Sequence, residues 1–350
     1  MYFEVYGIFV LGIFVNKDNS NFKEMKFDID VYLRKLFDSR EMPLYHMMAY
    51  HMGFEDKAGN VVSASNSSYL YALSSMAIGE IFSAQKKFIY PISSAIEMFL
   101  NFTEIHDDVK DGLPQRNGKD TVWWIWGPAQ GINAGDGLHS LARLQICELS
   151  QIGVTSDVVF EALQMFDSAS LKFSESKYLE LEFQERIDVK IEEYMELLYL
   201  RAEFLSTAMK LAALVSDSGN ELKEEIGKFG FNLGVLLQIN KDIDSFWESP
   251  EVDLNFLNKK KTLPIVYAFK YASNSQKIRL GDIYFKRVLT NEDITQLKTI
   301  LDEIDVRKFC EQDRKKLTHQ LNSSIDLVCD NQRNIDSVKS LVDYLMLTGF

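Results

Sequence analysis

Apolar residues recur three or four positions apart over long stretches of this chain. From Ile92 to Val109 they fall at Ile92, Ala95, Ile96, Phe99, Phe102 and Ile105, the spacing that lines one face of an α-helix. Ile191 to Val215 and Glu221 to Phe246 read the same way. Strand-like alternation is scarce, and neither an internal repeat nor a low-complexity linker is visible. The prolines, Pro43, Pro91, Pro114, Pro128, Pro250 and Pro264, all fit at or near helix ends or in loops. A proline inside a helix removes a hydrogen bond and clashes with the preceding turn. Asp56 to Ser68, with Gly59 and a run of serines, reads as a loop. The pattern predicts an all-α protein: one domain over residues 27–350, preceded by an N-terminal extension over 1–26. Within that extension Tyr6 to Val15 is mostly apolar, flanked by Glu4 and by Asn16-Lys17-Asp18. It is too short to span a bilayer and lacks the layout of a signal peptide. A packing segment, or residues upstream of the true start, is expected there.

Composition narrows the partners. Apolar residues make up 46% of the 350 positions, enough for a sizeable core. The net charge is −13, with no basic block, which argues against nucleic acid and against an anionic membrane surface. No membrane anchor is expected. An acidic protein that binds a polyanion needs metal ions between the two. Cys147, Cys310 and Cys329 show no paired spacing, so neither a disulfide framework nor a zinc site is expected, and the cytoplasm is the default compartment.

The segment Glu104-Ile105-His106-Asp107-Asp108-Val109-Lys110-Asp111-Gly112 should end the helix that starts near Pro91. Asp107 and Asp111 are four apart, so both carboxylates lie on one face. Their repulsion becomes binding if a hard cation sits between them, and Mg²⁺ typically takes one or two carboxylates plus phosphate oxygens and waters. A solvated acidic helix end is the alternative, although acids at a helix C-terminus oppose the macrodipole.

These residues resemble the aspartate box of the trans-isoprenyl diphosphate synthase family. The likeness extends to Glu97, ten residues before Asp107, and to Arg116, Thr121-Val122-Trp123 and Ala134-Gly135-Asp136. Downstream, Leu237-Gln238-Ile239 with Asp242, then Asp253-Leu254 and Lys260-Lys261-Thr262-Leu263-Pro264, resemble the second aspartate region and the segment after it. Tyr45-His46 and Tyr50-His51-Met52-Gly53 are similar to bacterial members. The resemblance implies a class I isoprenoid synthase helical bundle around a central cavity, an allylic prenyl diphosphate substrate, three Mg²⁺ ions and a homodimer. It implies Asp107, Asp108, Asp111 and Asp242 as metal ligands, with Arg116 on the allylic diphosphate. Arg201 stands where the family has a lysine, followed by Ala202 for a threonine. Lys177 replaces a glutamine, Glu180 replaces an aspartate, and Lys260 lies in the later basic segment. All of these still offer charge to a diphosphate and its metals.

Departures from the family pattern matter more. The family binds isopentenyl diphosphate without metal, through a Gly-Lys-x-x-Arg-Pro stretch and the second of two adjacent arginines. Here the lysine is Ser67, the arginine is Leu70 and the second arginine is Asn117. A diphosphate site stripped of cations cannot repay its desolvation, so loss of that site is expected. Lys86, Lys87 and Lys119 are the cations that could compensate if the fold brings them near. The second metal region begins with Lys241 instead of an aspartate. A different register, Asn240, Asp244 and Glu248 at i, i+4 and i+8, resembles the metal box of class I terpene cyclases. The arginine those cyclases carry upstream falls at Tyr194, so this would not be an ordinary cyclase.

The expectation from these observations is a Mg²⁺-dependent terpene synthase. Asp107, Asp111 and Arg116 would ionise an allylic diphosphate of ten to twenty carbons, Lys177, Arg201, Lys241 and Lys260 would grip it, and the cation would form in an apolar cavity. Phe99 and Phe102, on the aspartate-bearing helix, are candidates for its floor. A chain-elongating synthase, a prenyltransferase acting on a non-isoprenoid acceptor, and a non-catalytic synthase subunit are the rivals.

Overall fold

Helix α4 (Lys86–Lys110) carries the aspartate segment and organises its neighbours in the computed structural model. The structure describes residues 20–38, 40–63, 67–216, 219–247, 259–286, 289–329 and 331–348. Among them are fourteen α-helices and one two-stranded hairpin. In chain order α1 is Ser20–Lys35, α2 Pro43–His51 and α3 Leu70–Ile81. After α4 come β1 (Gln115–Arg116), β2 (Lys119–Asp120), α5 (Val122–Trp126) and α6 (Pro128–Glu148). The long helices α7 (Ser156–Gln184), α8 (Ile191–Leu214) and α9 (Asn220–Trp247) follow. The chain ends in α10 (Leu263–Tyr271), α11 (Asn274–Tyr284), α12 (Asn291–Ile304), α13 (Val306–Val328) and α14 (Gln332–Thr348). Among the described residues no helix is long and apolar enough to cross a membrane.

The periodic stretches place α8 and α9 to within a residue or two. Prolines cap helices as expected at Pro43, Pro128 and Pro264, each in a first turn where its missing N–H costs nothing. Pro91 departs from expectation. α4 begins at Lys86, so Pro91 sits inside it. It is buried, and early enough that the chain N-terminal to it is barely more than a turn. Ser94 Oγ donates to its carbonyl at 2.8 Å. Helix α1 runs without a break through residues 26 and 27, where the extension was expected to end.

Two compact units make up the chain, one from Lys17–Ser170 and Thr207–Gly227, the other from Leu171–Ser206 and Lys228–Phe350. In the first, α4 packs on α6 and α3. Close approach of α4 and α6 depends on Gly135, where a Cβ would lie 2.4 Å from the His106 ring. That explains the glycine of Ala134-Gly135-Asp136. Phe99 is 1% exposed, with ring centroids of Phe102 at 5.4 Å and Phe166 at 5.7 Å. Phe99→Ala should destabilise the protein by about 3–5 kcal/mol through the lost burial and the cavity left behind, measured by denaturant unfolding. In the second unit, α10 packs on α12 and α13 around Leu263, Ile265, Leu297, Ile300 and Cys310.

Candidate functional site

Asp107 and Asp111 are brought together by α4, whose last helical residue is Lys110 and whose C-cap is Asp111. The Lys110 ammonium lies 2.8 Å from Asp107 Oδ1 and 3.6 Å from Asp111 Oδ1. Both carboxylates therefore converge on one cationic point, which is the arrangement a hard cation needs. Among the described residues no three His, Cys, Asp or Glu side chains gather into a ready-made metal cage. A cation at this pair would draw its remaining ligands from water or substrate.

Asp108, grouped with that pair from the sequence, turns elsewhere. Its side chain is 2% exposed, and Oδ1 accepts from Arg116 Nε at 2.8 Å and Nη2 at 2.7 Å. A helix turns about 100° per residue, so neighbours cannot share a face. Asp108 instead continues a stripe of Glu97, Asn101 and Glu104, spaced 4, 3 and 4 apart, which lines a cavity of about 640 Å³. Spacings of 4, 3 and 4 put these four side chains on one helix face. Glu97 sits deepest. Burial, then repulsion from Glu104, pushes its carboxyl up to about 8, against the Asn101 amide that donates to Oε1. Phe99 and Phe102 point about half a turn away from this stripe, into contact with His139 of α6. They do not line this cavity.

The hairpin closes the other side of the cavity. Asn117 and Gly118 have φ of 51° and 75°, as a tight two-residue hairpin turn requires and as the Asn-Gly dipeptide favours. Arg116 pairs with Lys119 across the strands, and both line the cavity. Asn117 thus exchanges an arginine side chain for a turn that sets Lys119 opposite Arg116. The Lys119 ammonium donates to the Tyr50 carbonyl and lies 3.8 Å from the centre of the Tyr50 ring. Tyr50 Oη in turn donates to the Asp120 carbonyl at 2.8 Å, pinning the hairpin to α2. Burial pushes the Lys119 amine down to about 8. Of the other compensating cations, Lys86 pairs with Asp28 at 2.9 Å and Lys87 lies over Phe88; neither lines the cavity. Ser67 does. Leu70 has become core, 4% exposed.

In the second unit Arg201 and Lys260 converge on one carboxylate. Arg201 Nη2 is 2.7 Å from Glu180 Oε1, and Lys260 Nζ is 3.7 Å from Oε2. Lys177, three residues before Glu180 on α7, lies 5.4 Å from the Phe173 ring centre. The second aspartate region is arranged differently from either expected register. Asp242 is 5% exposed and accepts from three donors: the Tyr194 hydroxyl, the Leu263 backbone N–H at 2.7 Å and Gln238 Nε2 at 3.0 Å. It locks α8, α9 and the start of α10 together. Tyr194→Phe should cost about 1–3 kcal/mol, because a buried carboxylate oxygen loses a donor. Thermal and denaturant unfolding of the variant test this. Asn240 is buried, with Nδ2 on Met346 Sδ of α14 at 2.9 Å. Asp244 Oδ1 lies 4.0 Å from Arg314 of α13, Lys241 is exposed, and Glu248 lies outside the described residues.

The chain is similar to known proteins. The chain is 27% identical over 260 residues to the geranylgeranyl diphosphate synthase of Mycobacterium tuberculosis, covering 71% of each protein. It is 23% identical to the geranylgeranyl diphosphate synthase of Saccharolobus solfataricus, over 88% of this chain and 92% of that protein. A crystal structure of polyprenyl synthetase from Streptomyces coelicolor superposes with a TM-score of 0.83 at 24% identity, over 92% of this chain and 97% of the other. The helical fold is therefore that of the isoprenyl synthases. These relatives are named for making longer prenyl diphosphates, which overturns the expected terpene synthase. Beside the missing cations at Ser67 and Asn117, the hairpin sets Lys119 opposite Arg116 on the same cavity. The polyprenyl synthetase family model matches residues 64–303, and with the aspartate pair and the hairpin cavity inside that span, the chain belongs to the polyprenyl synthetase family.

Proposed function

We propose that this protein is a chain-elongating prenyl diphosphate synthase, joining an allylic prenyl diphosphate to isopentenyl diphosphate. The observation that carries the reading is the pairing of Arg116 and Lys119 across the Asn117-Gly118 turn, both facing one cavity beside the aspartate helix. Two cations offer an acceptor diphosphate charge-assisted hydrogen bonds. Arg116 is held rigid by Asp108, which leaves guanidinium donors for a ligand.

Asp107 and Asp111 fit Mg²⁺, since they already converge on an ammonium. Mg²⁺ bound there would draw charge from the diphosphate as it leaves. Arg116 and Lys119 orient the reactants. Lys177, Arg201, Lys241 and Lys260 are the further candidates for holding diphosphate oxygens. In the reaction the allylic C–O bond breaks, the acceptor alkene forms the new C–C bond, and a proton leaves the adduct. The products are the longer diphosphate, inorganic diphosphate and a proton. The cytoplasm is the proposed compartment, as the spacing of the three cysteines suggests.

The test is incubation with Mg²⁺ and geranyl or farnesyl diphosphate, with and without isopentenyl diphosphate. Longer prenyl diphosphates should form only when both substrates are present. Hydrocarbon from the allylic substrate alone, with no longer diphosphate, would refute the reading. We also propose a homodimer, supported by Ile132 and Leu144 of α6 and Phe160 of α7, all exposed and apolar. Light scattering should give twice the chain mass of 40.3 kDa.

A further inference from the structure

Resting on that reading, we infer that His51 supplies a third donor to the acceptor diphosphate, beside Arg116 and Lys119. His51 is the last residue of α2 and lines the hairpin cavity. Its side chain is 7% exposed, yet Nε2 finds no hydrogen-bond partner among the described residues. A buried ring nitrogen without a partner has given up its hydration for nothing in return. Glu104 Oε2 lies 3.7 Å from it, beyond hydrogen-bond reach. The charge of that carboxylate still favours the proton on Nε2 over Nδ1, so the ring presents an N–H to the cavity. A histidine in the last turn also suits the negative end of a helix dipole. Its buried, unpartnered Nε2 is what points to a ligand.

The neighbours of His51 place that N–H with the two cations. Lys119 donates to the carbonyl of Tyr50, the residue before His51. Arg116 holds Asp108 Oδ1, and a positive charge on the His51 ring acts on the same carboxylate. The acids of α4 show why a third donor is needed. Glu97, Glu104 and Asp108 all line the cavity, and each repels an incoming diphosphate when ionised. Burial keeps Glu97 protonated up to about pH 8, and Arg116 answers Asp108. Glu104 is the third, and His51 is the basic group beside it.

Calorimetry and kinetics on the full chain test this. Isopentenyl diphosphate is titrated into protein saturated with Mg²⁺ and an unreactive thiolo analogue of farnesyl diphosphate. His51→Leu should weaken acceptor binding roughly 10-fold or more, the scale of one hydrogen bond to a charged group. KM for the acceptor should rise in step, while KM for the allylic diphosphate stays put. His51→Gln, whose amide nitrogen falls near the place of Nε2, should recover most of the loss. If His51 only balances Glu104, its replacement has no effect in a Glu104→Gln background; the loss should instead persist there. If His51→Leu fails to fold, wild-type chain carrying ¹⁵N-labelled histidine decides. The His51 Nε2 resonance, identified by its absence in His51→Gln, should shift when isopentenyl diphosphate is added. Equal acceptor affinity in wild type and His51→Leu, both KM values rising together, a loss that vanishes in the Glu104→Gln background, or an unmoved resonance overturns the inference and leaves the proposed function standing. A wild type that neither binds nor elongates with isopentenyl diphosphate overturns the proposed function, and this inference with it.

Discussion

Asp107→Asn and Asp111→Asn should each lower turnover on the order of 10²-fold or more, the scale on which transition-state charge stabilisation acts. The geometry behind this is the convergence of both carboxylates on the Lys110 ammonium. Replacing one carboxylate by an amide removes half the negative charge that would hold a divalent ion. It leaves the helix intact, because Asn is nearly the same size and neither residue belongs to the core. The fold should therefore be unchanged by circular dichroism while Mg²⁺ dependence shifts to higher concentration. Lys110→Met gives the complementary result. Without the resident ammonium the two carboxylates repel more strongly, so affinity for Mg²⁺ should rise. Unchanged turnover in both aspartate variants at saturating Mg²⁺ would exclude this pair as the metal face.

How much of this was legible in the sequence depends on whether the signal is local. Helices α8 and α9 were readable because burial imposes a 3.6-residue period, and that period is written in Ile191–Val215 and Glu221–Phe246. The aspartate pair was readable for the same reason, since i and i+4 share a helix face. Pro91 was misplaced because a proline can be tolerated early in a helix whose remaining turns are well packed. Asp242 is the instructive failure. The family resemblance implied a ligand there, but its three donors come from positions 194, 238 and 263. Only one of them is close in sequence. Long-range donors leave no local trace, so burial of a carboxylate cannot be read from its own segment. Asn117 failed differently. Position by position it was a lost arginine, yet read as a dipeptide Asn117-Gly118 is a strong hairpin signal. Read that way, the dipeptide places Lys119 opposite Arg116.

Lys119→Met should raise KM for isopentenyl diphosphate about 10- to 150-fold. This follows from the loss of one charge-assisted contact, worth about 1.5–3 kcal/mol, at about 1.4 kcal/mol per factor of ten. KM for the allylic diphosphate should move much less, and that split separates an acceptor contact from a general loss of structure. A pH signature accompanies it. Burial holds the Lys119 amine down at about 8 and the Glu97 carboxyl up at about 8. Below that pH the lysine is a cation and the glutamic acid is neutral, and both states favour an anion in the cavity. Above it the lysine loses its charge and the carboxyl gains one, so both changes oppose the anion. kcat/KM for the acceptor reports the free enzyme's groups and should fall as pH rises through about 8. Lys119→Arg keeps its charge across this range and should remove the lysine's share of the fall, leaving the shallower limb due to Glu97. Glu97→Gln should remove the other share. A profile that stays flat through pH 9 in the wild type, or one that neither variant alters, would show that the acceptor diphosphate does not meet this cavity.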